Sequence, residues 1–459
     1  MDLFNQRNIT TKGKLDKVSD SFCLAKWTQT TIHLGLGHTH SCHHPRTHKI
    51  SPDEILIDPS ALHNTEYKKL MRKEMLNGNR PQECDYCWKI EDLNDQNQHS
   101  DRILKSSEDW SLPYFDEVIS AGFEKNINPK YLEISFSNVC NFKCSYCMPS
   151  VSSQWMEEIE RYGAYPTSGN FNNLDWVKKQ DKFPIPVRNH NPYIEAFWKW
   201  FPDLIQDLHT FRITGGEPLL DKNTFKCLDY IIENPQPNLE LSINSNFDIP
   251  SELFDKFLQK TNYISQHNLV KSLTVHTSCE AHGSAAEYIR FGLNYDNWKN
   301  NILKFINIVH NPNLGIMSTY NCLSVTTYHQ FLKDVLQLKK CANDKKGHLS
   351  LDIPYLNHPY HQSIKILTDD FQPMFEQQIN FCNDNIERQG LFGFNEIEVF
   401  KLKRVRSLFH NSINRDDFDS ELNQKDFVKF IDEHDKRRNT NFLKTFPEMS
   451  KFYEYCKTL

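Results

Sequence analysis

Residues 131–150 read YLEISFSNVCNFKCSYCMPS, and the fold class can be read from this stretch. In its first half Leu132, Ile134 and Phe136 alternate with Tyr131, Glu133 and Ser135. That is the period of a half-buried strand, predicted over 131–137. The second half spaces Cys140, Cys144 and Cys147 as Cys-x3-Cys-x2-Cys. Thiolate is the usual protein ligand of iron–sulfur clusters, and three on one short loop suit a four-iron cubane with one iron left open. An open iron can bind a substrate or a cofactor. With 13 Cys in 459 residues, this spacing arises by chance ~0.01 times per chain, so incidental thiols account for it poorly. Structural zinc usually takes four ligands, and the loop offers no obvious fourth.

The loop resembles the cluster loop of the radical S-adenosylmethionine (SAM) superfamily, which reads Cys-x3-Cys-x-aromatic-Cys after the first barrel strand. Tyr146 fills the aromatic place. The resemblance implies a [4Fe–4S] cluster on Cys140, Cys144 and Cys147, with SAM chelated to the open iron through its amino and carboxylate groups. It also implies reductive cleavage of the sulfonium to a 5′-deoxyadenosyl radical, the cofactors carrying the hard chemistry. Downstream, FRITGGEPLL (211–220) is a short apolar strand followed by Gly215-Gly216-Glu217-Pro218. Glycines let a backbone approach a ligand closely, and a neighbouring carboxylate can accept from an ammonium. Alone the motif would be a tight turn; by the resemblance Gly215, Gly216 and Glu217 meet the SAM amino group. The resemblance also implies Asn246 near the SAM ribose or carboxylate, and Arg290, in AAEYIRFG, toward the SAM carboxylate.

Along the rest of the chain, strands are predicted at 131–137, 209–214, 239–246, 270–278, 314–322 and 347–356. Helices are predicted at 193–208, 224–233, 251–260, 297–310 and 328–340. Strand–helix alternation implies a parallel sheet and an α/β class, and six units match the family's partial (β/α)6 barrel. Chemistry in such barrels gathers at the carboxyl ends of strands. Those ends carry Ser245, Ser278, Glu280, Asn321 and Ser324 besides the motifs above, and Tyr355, Asn357, His358, Tyr360 and His361 are candidates to line a substrate pocket. The polar insert 162–192 is a candidate lid.

The amino-terminal region holds a second constellation. Cys23, thirteen residues, Gly37, four residues and Cys42 are followed much later by Cys84-x2-Cys87. The pattern resembles the SPASM and twitch auxiliary-cluster domains of radical SAM enzymes, although those usually follow the barrel. The resemblance implies a second [4Fe–4S] cluster on Cys23, Cys42, Cys84 and Cys87. A helix over 66–77 and a turn at Asn77-Gly78 precede the second pair. His38, His40, His43, His44 and His48 surround Cys42, so a Cys/His zinc site is the competing reading.

The expected organisation is therefore an auxiliary-cluster domain (1–125), a radical SAM partial barrel (126–360) and a helical extension (361–459), with amphipathic helices in 394–409 and 416–438. A net charge of −6 gives no global pull toward nucleic acid. No stretch approaches the roughly 18 apolar residues of a membrane span. The start lacks a secretory segment, and clustered thiols suggest reduced, metal-ligating cysteines in the cytoplasm. Cys227, Cys279, Cys322, Cys341, Cys382 and Cys456 are scattered, and most read as small buried hydrophobes. The expected function is a radical SAM enzyme that abstracts hydrogen from a substrate, a peptide being favoured. Alternatives are a nucleotide, sugar or tRNA substrate, or a metal-binding or redox scaffold without catalysis. A donor such as flavodoxin or ferredoxin would supply electrons.

Overall fold

The alternation in 131–137 becomes a strand, Tyr131–Ser135, with Leu132 and Ile134 fully buried and the residues between them partly exposed. The computed structural model describes residues 3–93, 98–410 and 418–459. In chain order its strands are β1 (Gln29–His33), β2 (His38–His40), β3 (His48–Lys49), β4 (Tyr131–Ser135), β5 (Lys143–Cys144), β6 (Thr210–Thr214), β7 (Gln236–Asn244), β8 (Val270–Ser278), β9 (Arg290–Phe291), β10 (Asn313–Met317) and β11 (His348–Asp352). Nine of them form one sheet in the order β11-β10-β8-β7-β6-β4-β1-β2-β3, and β5 pairs with β9 apart from it.

Along the large sheet from β4 to β11 every pairing is parallel. Parallel neighbours need a crossover, and the helices Pro192–Asp207, Lys222–Glu233, Ser251–Gln266, Tyr295–Ile308 and Tyr328–Asp344 supply them. The expected six-stranded α/β partial barrel is thus observed. The helices lay apolar faces, such as Phe197, Phe201 and Leu204, against the outer faces of the strands. The sheet is strongly concave: Arg212 on β6 reaches Asn244 Oδ1 on β7 at 3.3 Å and Met317 Sδ on β10 at 3.5 Å, although β7 and β8 lie between β6 and β10. Glu133 lies 4.0 Å from Arg212 on this inner face.

Three strands of the nine-stranded sheet were not foreseen, nor was the small pair of β5 and β9. β1 pairs in parallel with β4, Ile32 opposite Ile134, and β2 and β3 extend the edge antiparallel. The sheet therefore crosses residue 125, where the sequence suggested a boundary. Segments such as QTTIH and HTH carry too little apolar alternation to announce strands. The expected helix near 66–77 is Glu66–Leu76, and Gly78 follows with φ +82°. That helix fastens the edge through buried Lys68, whose Nζ donates to Thr30 Oγ1, Thr39 Oγ1 and the His40 carbonyl.

The carboxyl-terminal helices include Glu396–His410 and Ser420–Arg438; Asp416 and Asp417 of the expected second helix lie outside the described residues. The insert 162–192 contains a short helix, Leu174–Lys179. Its Ile185, Pro186, Val187, Asn189 and Asn191 wall a separate cavity of about 770 Å³ with Trp198 and Lys226. None of the insert borders the cavity around Cys140, so the lid reading is not supported there. Among the described residues, no helix is long and apolar enough to cross a membrane.

The last long helix buttresses the cysteine loop. Buried Arg438 donates from Nε and Nη2 to both oxygens of Glu158 at 3.1 Å, and from Nη1 to the Lys143 carbonyl at 2.7 Å. Its guanidinium lies 4.8 Å from the Trp155 ring. Removing one partner of a buried pair leaves an uncompensated charge, which costs about 3–5 kcal/mol. Glu158→Ala is therefore expected to lower unfolding free energy by about that much, read by denaturant titration; an unchanged midpoint would contradict the buttress.

Candidate functional site

The cysteine loop is held from several directions. Its β5 segment pairs antiparallel with β9, setting Cys144 opposite Arg290. Trp155 Nε1 donates to the Cys144 carbonyl at 2.8 Å, Ser152 Oγ to the Phe142 carbonyl at 2.8 Å, and the Cys140 N–H to Ser153 Oγ at 3.2 Å. Ser152 also caps the helix Ser153–Tyr162, so the same turn that starts the helix orients the loop. Gln362 clasps Ser145 twice: Ser145 Oγ donates to its Oε1 and its Nε2 donates to the Ser145 carbonyl.

Cys140, Cys144 and Cys147 line one cavity of about 250 Å³ with Tyr146, Gly215, Gly216, Glu217, Ser245, Asn246, Ser278 and Arg290. Every residue assigned from sequence to the first cluster and to SAM therefore borders this cavity. It sits at the carboxyl ends of β4, β6, β7 and β8, where barrel chemistry belongs. Glycine is required at 216 for space: a Cβ there would stand 2.3 Å from the Val139 carbonyl oxygen.

Burial pushes the three thiols up, Cys147 to about 12. A positive group opposes this: Arg290 Nη1 lies 3.8 Å from Cys144 Sγ. The Phe142 N–H points at Cys140 Sγ at 3.4 Å. Three sulfurs on one wall, with a guanidinium and a backbone donor turned toward them, fit a thiolate-ligated cluster better than three neutral core thiols.

The charged groups do more than the sequence suggested. Glu217 is buried, and its Oε1 accepts from the Leu219 N–H at 3.0 Å and its Oε2 from the Asn246 N–H at 2.6 Å. The carboxylate thus ties β6 to β7 beneath the cavity as well as bordering it. Asn246 Nδ2 donates to Asn141 Oδ1 at 2.8 Å, linking β7 to the cysteine loop. Arg290 donates to Glu280 at 2.6 and 2.9 Å and to the Tyr146 hydroxyl at 2.6 Å. Glu280, Arg290, Gln362 and Arg438 act across long sequence separations, and only Glu280 and Arg290 carried any signal in the sequence.

Other candidates fall away. Asn321 and Ser324 close a turn, the Ser324 hydroxyl accepting from the Asn321 N–H and Asn321 Oδ1 from the Leu323 N–H. Tyr355, Asn357, His358, Tyr360 and His361 do not border the cavity. His361 is core, packed between the rings of Phe171 and Phe430. Of the scattered cysteines, Cys341 is exposed and the other five are buried.

A second site gathers near the amino-terminal end of β4. Cys23, Cys42, Cys84 and Cys87 line one small cavity with Ser41, Lys26, Trp88, Asp101 and Arg102. Burial pushes Cys23 to about 12 and Cys84 to about 11, and the Lys26 ammonium opposes it at both. Gly37 turns the chain between the first two cysteines at φ +66°, with a Cβ there meeting the Tyr193 ring at 2.2 Å. Among the described residues no histidine lines this cavity. His38 bonds the Asp181 carbonyl, His40 the Cys42 carbonyl and His48 the Thr65 hydroxyl, while His43 and His44 turn to Asp101 on the rim, so the Cys/His zinc reading finds no imidazole among the residues that line the cavity. Four thiols with a lysine and an arginine at hand suit a fully ligated cluster. Tyr131, the first residue of β4, packs on this cysteine group, whereas Cys140 follows the other end. At about 3.3 Å per strand residue, the two sites are on the order of 15–20 Å apart.

No protein-family profile matches the chain. Curated relatives named GTP 3′,8-cyclase match part of it: that of Nautilia profundicola is 27% identical over 27% of this chain and 29% of its own. That of Trichodesmium erythraeum is 30% identical over 25% of this chain and 27% of its own. The chain thus spans less than a third of the length of these relatives. Among solved structures, Streptococcus suis SuiB bound to S-adenosylmethionine is similar at 13% identity and a TM-score of 0.34, over 79% of this chain and 70% of that one.

The buried Glu217 carboxyl gives a prediction. Burial raises it from 4.5 to about 7. Below 4.5 folded and unfolded chains are both protonated there; between 4.5 and about 7 only the folded chain keeps the proton, so its stability falls as pH rises through that window. The stability difference between wild type and Glu217→Gln, followed by denaturant titration across the window, should tilt against wild type with rising pH. A difference independent of pH would contradict the carboxyl's burial.

Proposed function

We infer that this chain belongs to the radical SAM superfamily, and that it is an enzyme that binds SAM in the cavity at the carboxyl ends of β4, β6, β7 and β8 and starts its reaction there by hydrogen abstraction; partial matches to relatives named GTP 3′,8-cyclase support this reading. The observation that carries this reading is the convergence of Cys140, Cys144 and Cys147 with Gly215, Gly216, Glu217, Asn246 and Arg290 on one cavity. A [4Fe–4S] cluster held by the three cysteines would supply the electron and one open iron for SAM. The protein's own work is positional. Gly216 lets the β6 turn approach the cysteine loop, Glu217 and Asn246 fix the cavity floor, and Arg290 sets positive charge beside Cys144. Such fixed dipoles and charges cost no reorganisation when the reaction occurs.

Cys23, Cys42, Cys84 and Cys87 would hold a second, fully ligated cluster, a role in electron transfer or in shaping the pocket rather than in SAM binding. The substrate would lie on the concave face between the two cysteine sites, against Glu133, Arg212 and Asn244. The peptide preference rests on the resemblance to auxiliary-cluster enzymes. The relatives named GTP 3′,8-cyclase favour a nucleotide, and Arg212, whose planar fork matches phosphate or carboxylate, suits either. A small reductant such as flavodoxin or ferredoxin would deliver electrons.

Anaerobically reconstituted protein is expected to hold about eight iron and to cleave SAM slowly to 5′-deoxyadenosine when reduced with dithionite. Cys140→Ala should abolish the cleavage. Cys84→Ala with Cys87→Ala should leave about four iron and keep most of the cleavage, provided circular dichroism shows the fold intact. Full cleavage by Cys140→Ala would overturn the assignment, and loss of all cleavage in the folded double variant would mean the cysteines are divided wrongly.

A further inference from the structure

We propose that His43, His44 and Asp101 form a mononuclear site for a divalent transition-metal cation on the outer rim of the four-cysteine cavity. Their ligand atoms converge. His44 Nε2 lies 2.9 Å and His43 Nε2 3.4 Å from the same oxygen, Asp101 Oδ2, and one ligand atom from each of the three residues falls within 4.8 Å of the other two. A cation bound at 2.0–2.2 Å with angles between octahedral and tetrahedral holds its donors about 2.9–3.5 Å apart. The two nitrogen–oxygen separations match that spacing.

Two imidazole nitrogens from consecutive residues turn to one carboxylate oxygen, which brings three ligand-bearing side chains to a single point. The His44 ring is fixed by the Tyr86 ring, stacked on it with centroids 3.6 Å apart and planes within 13°. His44 and Asp101 are each 17% exposed and His43 is 60% exposed, so the set is walled on one side and open to water on the other. Two imidazoles and a carboxylate with open positions are a donor set for iron(II) or zinc rather than for calcium or magnesium.

The site is chemically distinct from its neighbour. Cys42 and Asp101 border the cysteine cavity, but neither histidine does, and the donors are nitrogen and oxygen rather than sulfur. The inference therefore does not depend on what the four cysteines hold. The chain order Cys42-His43-His44 places the two ligand sets back to back, so a cation on the rim would stiffen the segment that carries Cys42 and leave exchangeable positions facing solvent.

The test uses reconstituted full-length protein, stripped with EDTA and titrated with zinc(II), with X-ray absorption at the zinc edge. About one zinc per chain is expected, with nitrogen and oxygen neighbours at about 2.0–2.2 Å and no sulfur at about 2.3 Å. His43→Ala with His44→Ala should weaken binding at least tenfold, and Asp101→Asn, which keeps the side-chain shape, should weaken it in the same direction. Iron content and SAM cleavage should be unchanged in the double histidine variant, whose side chains line neither cysteine cavity, which separates this outcome from failure of the proposed activity. Absence of bound zinc, sulfur neighbours, or undiminished binding in the folded variants would each overturn the proposal.

Discussion

A full positive charge has to be kept beside three thiols at the mouth of the barrel, and much of the local architecture serves that need. Arg290 is 6% exposed. A buried guanidinium is tolerated only when its donors are satisfied and its charge is balanced. Glu280 takes two of its hydrogen bonds, Tyr146 takes another, and Cys144 Sγ lies within 3.8 Å. Because Arg290 belongs to the β9 strand that pairs with β5, the charge and the loop it serves are fixed by the same backbone ladder.

The amino-terminal segment is continuous with this framework. β1 adds to the open side of β4 with five residues in register, and Lys68 pins the edge from the following helix. Cys23 and Cys42, which flank the segment of β1 and β2, are thereby tied to the sheet whose strand β4 leads to Cys140. Such a connection fixes the separation of the two sites far better than a linker would, since strands are stiff and linkers are not. The carboxyl-terminal helix closes the arrangement from the other direction, with Arg438 clamped on Glu158 and the Lys143 carbonyl.

The parts that were legible in the sequence were those with local pattern. Leu132, Ile134 and Phe136 announced β4, and the cysteine and Gly-Gly-Glu spacings announced the loops at the carboxyl ends of β4 and β6. The hidden parts depend on partners far away in the chain. Gln362 lies 217 residues from Ser145, and Arg438 lies 280 from Glu158; neither position has a neighbour in sequence that hints at its partner. β1 to β3 were missed because threonine- and histidine-rich segments of two to five residues give no period. His361 differs for the opposite reason: a polar residue after a barrel strand reads as a candidate to line a pocket, but here its ring packs among Phe171 and Phe430.

The proposed function requires that the loop of Cys140, Cys144 and Cys147 hold a cluster whose open iron takes SAM in the cavity shared with Gly216 and Arg290. Electron paramagnetic resonance decides this, on reduced protein in which Cys23, Cys42, Cys84 and Cys87 are all replaced by alanine. Only the barrel cluster then contributes a signal. Adding SAM should change the g values of that signal, and in the Cys144→Ala background the signal should be absent. A cluster spectrum that SAM leaves unchanged, or one that survives loss of Cys144 unaltered, would contradict the assignment.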